Sequence, residues 1–319
     1  MTITKDDSAP LIAVVGATGL QGGSVVNALA ESKLAYRIRA FTRNATKPAA
    51  EVLKAKGVEV VQVDLTVENK DQVFKAFVGT NYAFLVTNFW EHLNMEREVA
   101  EGKLLIDAAK AVGARGIVWS GLPSVSKASN GKYTHVVHFD GKAIVTEYGR
   151  QSGVPFVNVP AGLYAQNFFG PFGLILKRPD GTFEIAWNMR PGSKIPLIDI
   201  VKDYGLFVRK AIESELFPDG QDINTVSEDI APTLIAEQLS EVTGKTVVYT
   251  HLTTEEWVKR LIGAGQPEAI AIELVQSFTF FDEIGYYAGQ PSASTEGLGT
   301  PTQTWKQFAR SADWSKVLI

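Results

Sequence analysis

Leu11-Ile-Ala-Val-Val-Gly16-Ala-Thr-Gly19-Leu-Gln-Gly22-Gly23 is the stretch that decides the fold. Its first half is a short unbroken apolar run, the pattern of a strand buried on both faces in a parallel sheet. Its second half is a GxxGxxG turn, and a helix is expected from residue 22 to about 32. Gly16 allows a tight turn off the strand, Gly19 lets the backbone approach a pyrophosphate, and Gly22 lets the helix pack close to the strand. The helix N-terminus then offers N–H groups and a positive dipole end to the phosphates. Glycines at this spacing also serve plain packing. The strand before them and the helix after them make this a dinucleotide-binding turn.

Outward from that turn, residues 36–42, 58–63, 82–87, 115–120 and 155–159 read as strands. Residues 69–78, 93–112 and 138–151 read as helices between them, and 124–133 as a polar loop. Strands alternating with helices predict an α/β fold, a doubly wound parallel Rossmann sheet with right-handed crossovers. After Asn167 the pattern changes to a Gly/Pro-rich aromatic stretch with Phe168, Phe169 and Phe172. Short strands are expected at 182–187, 194–197 and 246–250, and helices at 199–213 and 229–242. Thr253 with Glu256 predicts a capping box for a helix through Leu261. Residues 302–314 read as an amphipathic C-terminal helix that packs. The expected division is a nucleotide-binding Rossmann domain over 1–160. A smaller α+β lobe over 161–319 forms a substrate or effector cleft, with some elements free to return to the first sheet.

The chain has 319 residues, 45% apolar and 21% charged, an ordinary globular balance. A net charge of −4 provides no basic field for nucleic acid or an anionic membrane. The absence of cysteine excludes disulfides, thiolate metal sites and thiol redox chemistry. No apolar run is long enough to span a bilayer, and the polar first ten residues do not read as a signal peptide. The expected location is the cytoplasm, with the nucleus also open. His92, His135 and His251 lack metal-ligand spacing, and no metal is expected.

The second strand ends in Ala40-Phe41-Thr42-Arg43, with Lys47 further on and no acid to hold ribose hydroxyls. Arg43 suits a 2′-phosphate, so NADP(H) is preferred and NAD(H) is the weaker fit; a solvated surface arginine is the plainer reading. Asp64-Leu65 ends the third strand at the adenine edge, where Asp64 serves equally well as a cap for the next helix. Short-chain dehydrogenases use Tyr-x-x-x-Lys on the helix after strand five and a serine at that strand's end. Here Ser120 holds the serine position, and the helix reads His138-Phe-Asp-Gly-Lys142. His138 replaces the tyrosine, either as a proton donor or as a half-buried helix-start residue. Lys142 is a catalytic candidate or simply a ligand of the nicotinamide ribose.

GATGLQGG, TRN-x-x-K, VTNFWE over 86–91, SGL over 120–122, HFDGK over 138–142 and Tyr164-Ala-Gln-Asn167 together resemble the NmrA-like family of atypical short-chain dehydrogenases. The likeness runs over nearly the whole chain and is strongest to the family's NADPH-sensor proteins. It implies dinucleotide contacts from Gly16, Thr18, Gly19, Leu20, Gln21, Gly22, Arg43, Lys47, Asp64, Leu65, Thr87, Asn88, Lys142, Tyr164 and Asn167. It also implies switching of conformation or oligomeric state with cofactor loading, read by a protein partner, with a homodimer among the options. The sensor pattern carries a lysine where this chain has Ala100. Two functions fit. The preferred one is a redox sensor or regulator of the NADPH/NADP+ ratio. The alternative is an NADPH-dependent reductase of a small apolar or aromatic carbonyl, enone or imine using Lys142. Phe89, Trp90, Tyr164, Phe168, Phe169 and Trp187 are the expected aromatic surroundings.

Overall fold

The computed structural model describes residues 2–170 and 174–319, so Phe172 lies outside the described residues. The first half runs β1 (Leu11–Val14), α1 (Leu20–Ala30), β2 (Arg37–Thr42), α2 (Pro48–Ala55), β3 (Glu59–Gln62), α3 (Lys70–Phe77) and β4 (Tyr82–Leu85). It continues with α4 (Phe89–His92), α5 (Met95–Ala111), β5 (Gly116–Trp119), α6 (Val125–Ala128), α7 (Val137–Arg150) and β6 (Phe156–Asn158). These strands form a parallel sheet in the order β3-β2-β1-β4-β5-β6. The strand order reverses between β1 and β4, which opens a crevice at their C-terminal ends.

The buried strands explain the two layers of helices. Along β1, Ile12 and Val14 point into a core shared with Val25, Val26 and Leu29 of α1. Ala13 and Val15 point the other way, into a core shared with Val73 and Phe77 of α3 and Leu105 of α5. This is the two-residue alternation of a pleated strand with both faces covered.

The second half runs β7 (Leu163–Tyr164), β8 (Leu176–Lys177), β9 (Phe183–Trp187), β10 (Ile195–Ile198), α8 (Tyr204–Glu213), β11 (Glu228–Ile230) and α9 (Pro232–Thr243). It ends with β12 (Val247–His251), α10 (Thr254–Gly263), α11 (Glu268–Glu283) and α12 (Trp305–Ser311). Among the described residues, β11-β10-β7 and β12-β9-β8 are small mixed sheets. A third core joins them to α7, α9, α10, α11 and α12, centred on Trp187, Phe280 and Trp305.

The Thr253 capping box is present in full. Glu256 N–H donates to Thr253 Oγ1 at 3.2 Å, and Thr253 N–H donates to Glu256 Oε2 at 2.8 Å. The C-terminal helix α12 packs through Trp305 and Phe308, and ends before Trp314, which is buried in a 3₁₀ turn beyond it. Several elements differ from expectation. The helix foreseen at 199–213 begins only at Tyr204. Residues 199–203 instead wrap around Asp199, whose Oδ1 accepts from the N–H groups of Val201 and Lys202. The loop at 124–133 holds the single turn α6, and α2, α4 and the sixteen-residue α11 were not anticipated. No helix among the described residues is long and apolar enough to cross a membrane.

α8 does not stay with the second half. Tyr204, Phe207, Val208 and Ala211 bury themselves against α1, in the first sheet's own core. Gly205 makes that approach possible: a Cβ there would sit 2.1 Å from the Ser24 carbonyl oxygen.

Candidate active site

A cavity of about 790 Å³ runs along the C-terminal ends of the parallel strands. Gly16 after β1, Arg43 after β2, Asp64 after β3, Thr87 after β4, Ser120 after β5 and Ala161 after β6 all reach it. Every expected cofactor-binding and catalytic candidate lines this cavity: Thr18, Gly19, Leu20, Gln21, Gly22, Lys47, Leu65, Asn88, His138, Lys142, Tyr164 and Asn167 stand there with the others.

The turn has the form that a pyrophosphate needs. Gly16 takes φ +67°, the left-handed region open to glycine. A Cβ on Gly22 would lie 2.3 Å from the Gly16 carbonyl oxygen, so only glycine lets α1 start this close to β1. No side chain caps α1, and its first turn holds no acid. Its positive end is therefore unneutralised by the chain, as anion binding at a helix N-terminus requires. Gln21 leaves that turn to donate from Nε2 to Ser120 Oγ at 2.8 Å. Ser120 is buried, and this bond ties the glycine turn to the end of β5.

Asp64 does not cap the following helix. A 3₁₀ turn, Val67–Asn69, lies between, and Asn69 holds the cap position of α3. Arg43 makes an ion pair with Glu91 of α4, the two side chains being 63% and 33% exposed.

Lys142 is engaged deep in the cleft. Its Nζ donates to the Thr87 carbonyl at 2.9 Å, to Thr87 Oγ1 at 2.9 Å and to Glu98 Oε1 at 2.7 Å. An ammonium has three N–H bonds, and these contacts use all of them. Lys142 and Glu98 are only 12% and 2% exposed. Thr87 Oγ1 also donates to Glu98 Oε1, at 2.8 Å, while Glu98 Oε2 is buried without a hydrogen-bond partner. Gly141 of the HFDGK run makes room for that carboxylate: a Cβ there would sit 3.1 Å from Glu98 Oε2.

His138 is held from the other side of the cleft. Glu273 Oε1, on α11, accepts from the His138 backbone N–H at 3.0 Å and lies 2.6 Å from Nδ1. A carboxylate at that distance fixes the proton on Nδ1. His138 and Glu273 are 13% and 4% exposed. The rings of Trp90 and Phe139 lie 5.0 and 4.7 Å from the imidazole.

Beyond His138 the cavity continues into an apolar chamber. Phe139, Trp257 of α10, Phe278 and Phe281 of α11, and Tyr286 line it, and their rings pack on one another in the third core. Burial raises the hydroxyls of Tyr164 and Tyr286 above the usual phenol range, so both phenols keep their protons. Phe89, Trp90 and Tyr164 line the cavity as expected. Phe168 and Trp187 instead fill the third core, and Phe169 lies at the surface against Trp314. The lining rings Phe139, Trp257, Phe278, Phe281 and Tyr286 were not foreseen, and neither was Glu98 or Glu273. Their signal in the sequence is faint: each is an acid placed on a helix face otherwise occupied by buried residues.

Comparison with known proteins agrees with this geometry. The NmrA-like family model matches residues 8–309. The NmrA-like family domain-containing oxidoreductase cpsB of Aspergillus campestris is 30% identical, over 98% of this chain and 95% of the relative. The nitrogen metabolite repression protein nmrA of Emericella nidulans is 30% identical over 91% of this chain and 80% of its own. The solved structure of NmrA, a negative transcriptional regulator, in complex with NAD superposes with a TM-score of 0.77 at 25% identity, covering 95% of this chain and 94% of that one. The same regulator has been solved with NADP, with a TM-score of 0.76. With its glycine turn, its HFDGK helix and a match spanning nearly all its length, the chain belongs to the NmrA-like family.

Proposed function

We propose that this chain binds NADP(H), and NAD(H) less tightly, and reduces a small apolar or aromatic carbonyl, enone or imine. The observation that carries this reading is the aromatic chamber continuous with the dinucleotide cleft, with the His138–Glu273 pair at their junction. The turn at Gly16–Gly22 would hold the pyrophosphate, Arg43 and Lys47 the 2′-phosphate, and Tyr164 and Asn167 would flank the nicotinamide half. When bound there, NADPH would supply the hydride for such an acceptor. The chain must then deliver one proton to the acceptor's heteroatom or α-carbon. His138 is the candidate donor. Glu273 keeps the proton on Nδ1 and steadies the imidazolium, so that Nε2 serves the substrate. Ser120 and Lys142 act as positioning residues: one orients Gln21, and the other pins Thr87 and the end of β4. The chamber selects its substrate by apolar area and ring stacking.

Anaerobic NADPH oxidation against a panel of aromatic aldehydes, enones and imines tests this. At least one should turn over at about 1–10³ s⁻¹. His138→Phe and Glu273→Gln should each lower kcat by about 10²-fold or more while NADPH binding stays within twofold. NADPH binding with no turnover across the panel overturns it.

A redox sensor is the second reading. Lys142 favours it: at the position where a dehydrogenase lysine works, all its N–H bonds are already spent on Glu98 and Thr87. A sensor must have different affinities for NADPH and NADP+ in two states of the protein, one of them presented to a protein partner. Limited proteolysis and oligomer distribution would then differ between the two loaded forms.

A further inference from the structure

The guanidinium of Arg43 is shared. It projects from the end of β2, and the acid it meets, Glu91, comes from α4, after β4 and 48 residues along the chain. A pair this exposed contributes little to stability. Yet the turn that carries Glu91 is held in a costly shape. Leu93, which closes α4, takes the left-handed conformation at φ 50°, ψ 36°, with half its surface exposed. A leucine there is disfavoured by its Cβ, and no burial compensates it. What the turn achieves is a placement of three side chains: Phe89 and Trp90 against His138, and Glu91 on Arg43. His92, the fourth residue of the turn, brings its Nε2 to 3.9 Å from the same carboxylate oxygen.

We infer that Glu91 is a cofactor-discriminating residue that opposes the NADP(H) preference of Arg43 and Lys47. The inference rests on the reading that the 2′ position of the adenosine ribose lies at Arg43. A 2′-phosphate brought to this guanidinium meets a carboxylate in direct contact with it and is repelled. A free 2′-hydroxyl meets an acceptor instead. NAD sites obtain the same hydrogen bond from an acid at the end of the second strand. In this chain the acid is absent from β2 and is supplied across the crevice by α4. The site is thereby made tolerant of both dinucleotides rather than strict for one.

Calorimetric titration of NADP+ and NAD+ into the wild type, Arg43→Ala and Glu91→Gln tests this on the full chain. Glu91→Gln should tighten NADP+ about five- to tenfold and leave NAD+ unchanged or up to about threefold weaker. Arg43→Ala should weaken NADP+ selectively. Equal losses for both ligands in Arg43→Ala would overturn the placement of the 2′ position. A selective loss in Arg43→Ala with an unchanged affinity ratio in Glu91→Gln, or a shift toward NAD+, would overturn the role of Glu91 alone.

Discussion

The two ends of the cleft each hold a cation against a carboxylate, yet the pairs differ in kind. At the inner end Lys142 and Glu98 are almost wholly removed from water and share Thr87 between them. At the outer end the Arg43 side chain is mostly in solvent and that of Glu91 one-third so. A buried pair has lost its hydration and cannot trade partners cheaply, so it fixes geometry. An exposed pair forms and breaks at little cost, so a ligand can compete for it. The cleft is rigid where the chain must hold β4 against α7, and negotiable at its outer rim.

Removing Glu98 should show the largest effect. Glu98→Ala leaves an ammonium buried without its counter-ion and should lower unfolding stability by about 3–5 kcal/mol in chemical denaturation. A loss under 1 kcal/mol would mean that the inner pair is as negotiable as the outer one.

Asp203 sharpens the contrast, because it is a buried acid held by hydrogen-bond donors, and the charge of neighbouring Lys202 does not offset its burial. It accepts from the Ser227 hydroxyl at 2.5 Å and from the Gln303 N–H at 2.9 Å. Burial outweighs those bonds and, with the charge of nearby Asp199, raises its pKa from 3.8 to about 6. Between pH 4 and 6 the folded protein keeps a proton that the unfolded chain has lost. The stability from this group is therefore complete below about pH 4 and falls away as pH rises to 6, by on the order of 2–3 kcal/mol. Asp203→Asn should flatten that part of the pH–stability curve. An unaltered slope would show that another group produces it.

Glu273→Gln comes next. The amide oxygen still accepts from His138, but the charge is gone, and a loss of about 1–2 kcal/mol is expected in the same denaturation series. Smallest of all, Glu91→Ala should shift stability by about 0.5 kcal/mol or less. A larger loss would place the outer pair among the structural ones.

The first half of the chain was legible because its signals are local. β1, β5 and β6 are short buried runs, and the glycine turn combines a positive φ at Gly16 with close packing at Gly22 inside seven residues. The second half was less so, and α11 shows why. It is buried on several faces at once: Ile270, Ala271, Val275, Phe278, Phe280 and Phe281 are all inside. Burial on so many sides blurs the polar face that would mark its period, and Phe278-Thr-Phe-Phe281 suits a strand as well as a helix. Glu273 reads as an ordinary surface acid until the fold brings it to a histidine 135 residues earlier. α2 did leave a trace, in Pro48 at its first turn. Phe168 and Trp187 were misplaced because aromatic composition does not say which side of a wall a ring faces.

The docking of α8 on α1 bears on how this protein could be divided. The helix that follows the glycine turn has its back covered by residues 204–213, encoded some 180 positions later. A fragment ended at Pro160 would keep the whole glycine motif yet uncover α1 along Ser24 and Ala28 and take Tyr204, Phe207 and Val208 out of the sheet's core. Gene truncation or domain exchange at that boundary would therefore yield a sticky, poorly folding half. A graft that aims to keep the nucleotide site must carry α8 with it.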